Sequence, residues 1–173
     1  MPDFLKVEEI LRELNLKEDM MAAEFGCGSA AFALAIARKL SKGRVYAIDI
    51  QEEKLSALKG RLALEKINNV FTVMADLEAD KGSTLQNNSL DLVLVPNVLF
   101  QAEDKGAIIK EAKRVLKDGG ELLVIDWLKA GSLHSPKDIV GIDDVKRMAE
   151  SMSFSFKKEF QTGDYHYALL FIK

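Results

Sequence analysis

Apolar positions along the chain recur with two alternating periods. Val7, Ile10, Leu11 and Leu14 fall at i, i+3, i+4 and i+7, which is one face of a helix over residues 4–14. The run Met20-Met21-Ala22-Ala23 then leads into Glu24-Phe25-Gly26-Cys27-Gly28, which predicts a strand, a tight turn and a helix start. Phe32, Ala35, Ile36 and Leu40 are the apolar stripe of that helix. Val45-Tyr46-Ala47-Ile48 is a short buried strand ending at Asp49, and Leu55, Leu58 and Leu62 continue at helical spacing to about Leu64. Val70 to Met74 is a third strand, with Asp76 just beyond it.

After a polar loop from Lys81 to Ser89, Leu90 to Val95 reads as a buried strand closed by Pro96. Ile108, Ala112, Val115 and Leu116 predict another helix, which Asp118-Gly119-Gly120 stops before the strand Leu122 to Ile125. Residues 130–142, with Gly131, Ser132, Ser135, Pro136 and Gly141, form the least regular stretch and are the candidate lid or variable loop. Asp143 is the expected cap of a helix whose apolar positions are Val145, Met148, Ala149 and Met152, with the two methionines expected in the core. Strands near 154–160 and 165–172 follow, joined at Gly163-Asp164. So short a connection requires the last strand to run antiparallel to its partner, whereas strands alternating with helices are parallel.

Composition narrows the class. A chain of 173 residues suits one domain, residues 1–173, and 48% hydrophobic with 29% charged residues is ordinary for a globular protein. Met1-Pro2-Asp3-Phe4-Leu5-Lys6 has no apolar stretch of signal-peptide length, so a cytoplasmic protein without a membrane span is expected. One cysteine excludes an internal disulfide, and two histidines far apart offer no metal-ligand spacing. A net charge of −3 argues against a nucleic-acid partner, which needs a basic face. Oligomeric state is not readable.

Glu24, Asp49 and Asp76 follow the first three strands, and parallel strands bring such ends to one edge of the sheet, where open α/β folds bind ligands. Asp49 offers two oxygens to a pair of ribose hydroxyls. Asp76 can accept from a purine amino group, and Glu24 can attract an ammonium group or organise the turn. Gly26-x-Gly28-x-x-Ala31 alone fits a dinucleotide-binding pattern equally. Glu24, Asp76 and the antiparallel end favour a ligand with ribose, an amino-bearing base and positive charge over a nicotinamide dinucleotide.

Glu24-Phe25-Gly26-Cys27-Gly28, Val45 to Asp49, Ala75-Asp76-Leu77, Leu90 to Leu94 and Arg114 to Leu122 resemble, in order and spacing, the motifs of class I S-adenosylmethionine-dependent methyltransferases. The closest branch is that of ubiquinone and menaquinone biosynthesis. The resemblance covers about residues 5–128 and implies a Rossmann-like three-layer α/β sandwich, with a seven-stranded, mostly parallel sheet and an antiparallel last strand. It implies S-adenosyl-L-methionine as cofactor, a small-molecule acceptor, and an in-line displacement that needs alignment and dryness more than a dedicated acid. By the same resemblance Gly26, Cys27 and Gly28 lie under the methionine part, Glu24 near its amino group, Asp49 at the ribose hydroxyls, and Asp76 with Leu77 at the adenine, with Ile50 a further cofactor-binding residue. Asn97 would lie near the sulfonium and the acceptor. Where the family often has a third glycine this chain has Ala30, from which a tighter pocket is expected. The alternatives are a cofactor-binding module of the same fold that transfers no methyl group and an NAD-type oxidoreductase.

Phe100, Gln101, Asp126, Trp127, His134 and His166 are candidates for the acceptor pocket. His134, His166, Asp126 and Glu103 are candidate bases by position only. Beside these readings stand plainer ones: Cys27 as a small turn filler, Trp127 as packing, and His166 as a solvated or hydrogen-bonded histidine on an alternating strand. An Asp/Asn-Pro-Pro-Tyr signature for methylating bases is absent, Pro96-Asn97-Val98-Leu99 standing in its place.

Overall fold

The computed structural model describes residues 5–128, 136 and 138–173. The elements are α1 (Val7–Arg12), β1 (Met21–Phe25), α2 (Ala31–Lys39), β2 (Arg44–Asp49), α3 (Glu52–Glu65), β3 (Val70–Met74), β4 (Leu90–Pro96), a 3-10 turn (Leu99–Gln101), α4 (Lys105–Val115), β5 (Leu116–Trp127), α5 (Ile142–Ser151), β6 (Ser155–Thr162) and β7 (His166–Ile172). The sheet order is β3-β2-β1-β4-β5-β7-β6. β1 to β5 are mutually parallel, and β7 runs antiparallel to both β5 and β6.

Because successive side chains of a strand point to opposite faces, each central strand feeds two cores. Ala22, Leu92, Leu94, Leu123, Ile125 and Leu170 pack with the apolar faces of α1, α2 and α3. Ala23, Val93, Val95, Leu122, Val124 and Phe171 pack with those of α4 and α5. The result is the expected three-layer sandwich, with strands buried on both faces in its middle.

Three expectations are corrected. Leu116 does not end α4: it is the first residue of β5 and pairs with Leu90, where the β4–β5 register shifts. An apolar residue one position after Val115 satisfies a helix stripe and a strand core alike, and the free edge of Leu90 decides between them. Asp143 does not cap α5, since Gly141 holds that place and Asp143 lies in the first turn, where its charge suits the helix dipole. Met148 and Met152 are only partly buried, at the margin of the core. The proposed lid at 130–142 falls largely outside the described residues, as does His134.

Helix starts place the ligand edge. Asp104 caps α4 by accepting a hydrogen bond from the Ala107 amide at 2.9 Å. α2 begins differently: its N-cap is Ala30, in the left-handed region at φ 58°, with no side-chain oxygen to offer. Ala30 is buried in the core beside α2, outside the residues that line the ligand cleft.

Candidate functional site

A cleft of about 750 Å³ opens at the edge formed by the C-terminal ends of the parallel strands and the N-terminal end of β7. Its floor is the turn after β1. The Gly26 and Cys27 amides both donate to the Ile48 carbonyl at 2.8 Å, which fixes the turn to the end of β2. Gly26 has φ 74°, and a Cβ there would come within 2.3 Å of Val98 Cγ2, so only glycine fits beneath the loop after β4. Gly28 has φ 45° with nothing within 4 Å of a built Cβ. That open space faces the cleft and leaves the backbone uncovered for a ligand. Cys27 is buried in the turn; burial and the carboxylates of Glu24 and Asp49 push its thiol up to about 12, so it fills space as an inert thiol.

Asp49 ties the two turns together. Its Oδ2 accepts from the Gly28 amide and its Oδ1 from the Gln51 amide, each at 3.0 Å. Each oxygen keeps a further lone pair for a ligand hydroxyl. Ile50 beside it is 63% exposed on the rim. Asp76 accepts from the Glu78 amide at 2.9 Å, closing a short turn that carries the buried Leu77 into the cleft wall. Glu78 in turn accepts from the Asp104 amide at 2.5 Å, joining that wall to α4.

Glu24 is 2% exposed. Its Oε2 accepts from the Ala33 amide at 2.8 Å, supplying from β1 the acceptor that Ala30 cannot give to the first turn of α2. Burial, opposed by that one amide and reinforced by the charge of Asp49, pushes its carboxyl up to about 8. A cation arriving beside Glu24 would restore its charge.

At the other end, Asn97 has φ 56°, and its Oδ1 is buried with no partner among the described residues. Gln101 donates from Nε2 to the Asn97 carbonyl at 3.0 Å. Trp127 and His166, which are partners across β5 and β7, stack with ring centroids 4.3 Å apart, and both line the cleft. His166 is 1% exposed, and neither ring nitrogen has a hydrogen-bond partner among the described residues, in place of the solvated or hydrogen-bonded ring expected. Burial lowers its pKa to about 4, so the ring is uncharged at neutral pH.

The cleft therefore gathers Glu24, Gly26, Cys27, Gly28, Asp49, Ile50, Asp76, Leu77 and Asn97, together with Gln101, Trp127 and His166. Three of the described candidates do not line it. Asp126 is fully buried and accepts from the Trp127 amide at 2.8 Å and the Phe100 amide at 3.2 Å; burial raises its pKa to about 6 against those amides. It clamps the turn after β4 to β5, a structural duty. Phe100 packs edge-on against Trp127 from behind, with centroids 6.4 Å apart. Glu103 is exposed outside the lining.

Sequence reasoning missed Glu111. Its carboxylate accepts from the Ser83 amide at 2.9 Å, from the Ser83 hydroxyl, and from two guanidinium nitrogens of Arg114 at 2.6 and 2.8 Å. Burial raises its pKa, but the bonds from Arg114 and Ser83 prevail and hold it below the ordinary value. Arg114 also donates to the Leu85 carbonyl at 2.8 Å, so the pair braces the loop that follows the Asp76 turn. The Glu111 and Arg114 spacing of i, i+3 was a readable ion-pair signal; its burial was not. Leu5, Val7 and Lys54 also line the cleft, and no motif marks them.

Among the described residues no helix is long and apolar enough to cross a membrane, and no group of three His, Cys, Asp or Glu side chains is placed to hold a metal ion.

This fold, a seven-stranded sheet with a reversed β7 and a glycine turn under an acidic-rimmed cleft, defines an α/β class to which the family described as "Methyltransferase domain" also conforms; that family matches residues 16–135, and the chain belongs to it. A demethylmenaquinone methyltransferase of Geobacillus kaustophilus is 27% identical over 124 residues, covering 69% of this chain and 50% of that protein. The chain spans about half the length of the curated relatives it matches. Among solved structures, a SAM-dependent methyltransferase from Aquifex aeolicus superposes with a TM-score of 0.86 at 22% identity, covering 97% of this chain and 89% of the other. A [4+2]-cyclase superposes with a TM-score of 0.83 at 13% identity, covering 96% and 80%.

Proposed function

We propose that residues 1–173 act as one methyltransferase domain that binds S-adenosyl-L-methionine and passes its methyl group to a small-molecule acceptor by in-line displacement. The observation that carries this reading is the meeting of the uncovered Gly28 backbone with Glu24, Asp49 and Asp76 in one cleft. The residues fit the group: an open cradle lies where a Cβ would stand, and the buried carboxyl groups of Glu24 and Asp49, with no ion-pair partner among the described residues, suit a cationic nucleoside. Glu24 would face its ammonium group, Asp49 the ribose hydroxyls, Ile50, Asp76 and Leu77 the adenine, and Gly26 to Gly28 the methionine part. Asn97 would stand between cofactor and acceptor.

When bound, the sulfonium supplies an activated methyl group. The chain would contribute alignment and exclusion of water: Val98 lies so near Gly26 that the turn seats against the loop after β4 without an intervening side chain, and Leu5 and Val7 add apolar surface to the cleft lining. No nucleic-acid partner belongs to this reading, which the net charge of −3 supports, and a cytoplasmic setting does.

A second reading keeps the cofactor site without methyl transfer. The superposition with a [4+2]-cyclase favours keeping it, since fold does not fix chemistry. Calorimetry with S-adenosylmethionine and S-adenosylhomocysteine tests the first half of the proposal, and absence of binding to folded protein overturns it. Incubation with thiols, phenols, quinols and amines tests the second, where a product heavier by one methyl group separates the two readings.

A further inference from the structure

We infer that His166, with Trp127 Nε1 and Asn97 Oδ1, holds the acceptor and selects a flat, uncharged molecule bearing a protic group. This rests on the cofactor reading above and adds to it the identity of the acceptor-facing residues and the class of acceptor they accept.

The argument starts from hydrogen bonds that are missing. Among the described residues, the buried side-chain polar atoms lacking a partner are Asn97 Oδ1, Trp127 Nε1, and both ring nitrogens of His166. All three side chains line the same cleft, and they sit at the ends of the neighbouring strands β4, β5 and β7. Buried polar groups in folded proteins are almost always paired, and leaving one unpaired costs about 1–3 kcal/mol. Three such groups converging on a ligand-sized cleft point to a partner brought in from outside.

The chemistry of the trio defines that partner. Trp127 Nε1 only donates, Asn97 Oδ1 only accepts, and a neutral imidazole does one of each. A hydroxyl or amino group that donates to one of these atoms and accepts from another satisfies two of the four, and a molecule carrying two such groups satisfies the set. Charge is disfavoured: the one cation among the described lining residues is Lys54, on α3 beyond Asp49, at the other end of the cleft. An anionic acceptor would bury its charge against neutral groups, and a cationic one would find no counter-ion among the three. The uncharged state of His166 follows from burial alone. The tilted stack of His166 on Trp127, at 38° with Phe100 edge-on behind the indole, fixes both rings as a wall suited to a flat molecule.

The test uses full-length protein saturated with S-adenosylhomocysteine, with the His166 ring followed by ¹⁵N NMR. The probes are catechol, hydroquinone and 2-aminophenol, with 3,4-dihydroxybenzoate as the charged match to catechol. At least one neutral probe is expected to bind and shift the His166 nitrogens, and the benzoate to bind about tenfold more weakly than catechol or less. In His166→Phe, which keeps a flat ring, neutral-probe affinity falls about tenfold while S-adenosylhomocysteine affinity stays within about twofold. His166→Gln, which keeps a donor and an acceptor, recovers part of the loss. Failure of every neutral probe, equal binding of catechol and its carboxylate, or an unaffected His166→Phe overturns the inference. Failure of S-adenosylhomocysteine itself to bind overturns the cofactor reading instead.

Discussion

Glu24 on β1 and Ala33 on α2 are joined by a 2.8 Å hydrogen bond from the amide to the carboxyl, so a cleft-lining acid doubles as the cap of the helix that follows the glycine turn. The carboxyl, at about 8, is mostly protonated at pH 7 before any ligand arrives. An ammonium group placed beside it favours the ionised form, so binding of S-adenosylmethionine at pH 7 is expected to release up to about one proton. Calorimetry in phosphate and in Tris reads this directly. Tris takes up the proton with the larger heat, so binding should look more exothermic there, and equal enthalpies in the two buffers would remove the ammonium from Glu24.

The same acid sets a pH trend in stability. Its folded pKa lies above the unfolded value of 4.5, so the native state holds a proton that the unfolded chain has lost between pH 4.5 and about 8. The contribution is complete below that window and is lost as pH rises through 8. Glu24→Gln should flatten this part of the profile of denaturation midpoint against pH; an unchanged slope would place the carboxyl elsewhere in its titration.

His166 gives the opposite slope. Its folded pKa of about 4 lies below the ordinary 6.5, so falling pH protonates the unfolded state first. Stability from this group is present above pH 6.5 and declines toward pH 4, by up to about 3 kcal/mol at about 1.4 kcal/mol per unit. The difference between wild type and His166→Phe isolates it from Glu24. Parallel profiles would mean that the ring is hydrated in solution.

Asp49→Ala is expected to weaken cofactor binding by about 1–3 kcal/mol and to lower the melting temperature as well, because the Gly28 and Gln51 amides lose their acceptor. Asp49→Asn retains one carbonyl oxygen and should fall between. Cofactor affinity unchanged in Asp49→Ala would show that the ribose lies elsewhere.

Removing Glu111 leaves the guanidinium of Arg114 partly buried without its carboxylate. Glu111→Ala should cost about 3–5 kcal/mol in denaturant unfolding, the range for breaking a buried pair. A loss below about 1 kcal/mol would mean that water replaces the carboxylate and that the loop at 83–87 stands without it.

What the chain disclosed beforehand was its alternation. Strands buried on both faces leave continuous apolar runs, and helices leave a stripe, so Val45 to Ile48 and Leu55, Leu58, Leu62 could be placed without coordinates. Acidic residues at strand ends were legible because parallel strands have only one edge on which to collect them. Leu116 was not, since one apolar residue at a junction fits either period. Asp126 and His166 show the other limit. A strand's period gives the face on which a side chain lies, but whether it meets amides, as Asp126 does, or an indole face with no hydrogen-bond partner among the described residues, as His166 does, depends on the turn from Leu99 to Gln101 and on the pairing of Trp127 with His166 across β5 and β7. Ala30 is similar: its left-handed φ follows from the path between the glycine turn and α2, and a small residue gives no notice of it.

The reversal of β7 has an evolutionary corollary. Because this strand enters the ligand edge at its beginning, His166 is delivered by the turn at Gly163-Asp164, which is not among the residues lining the glycine turn's end of the cleft. On the proposed reading, evolution can exchange the acceptor-facing residue at the start of β7 while leaving intact the turns that carry Glu24, Asp49 and Asp76.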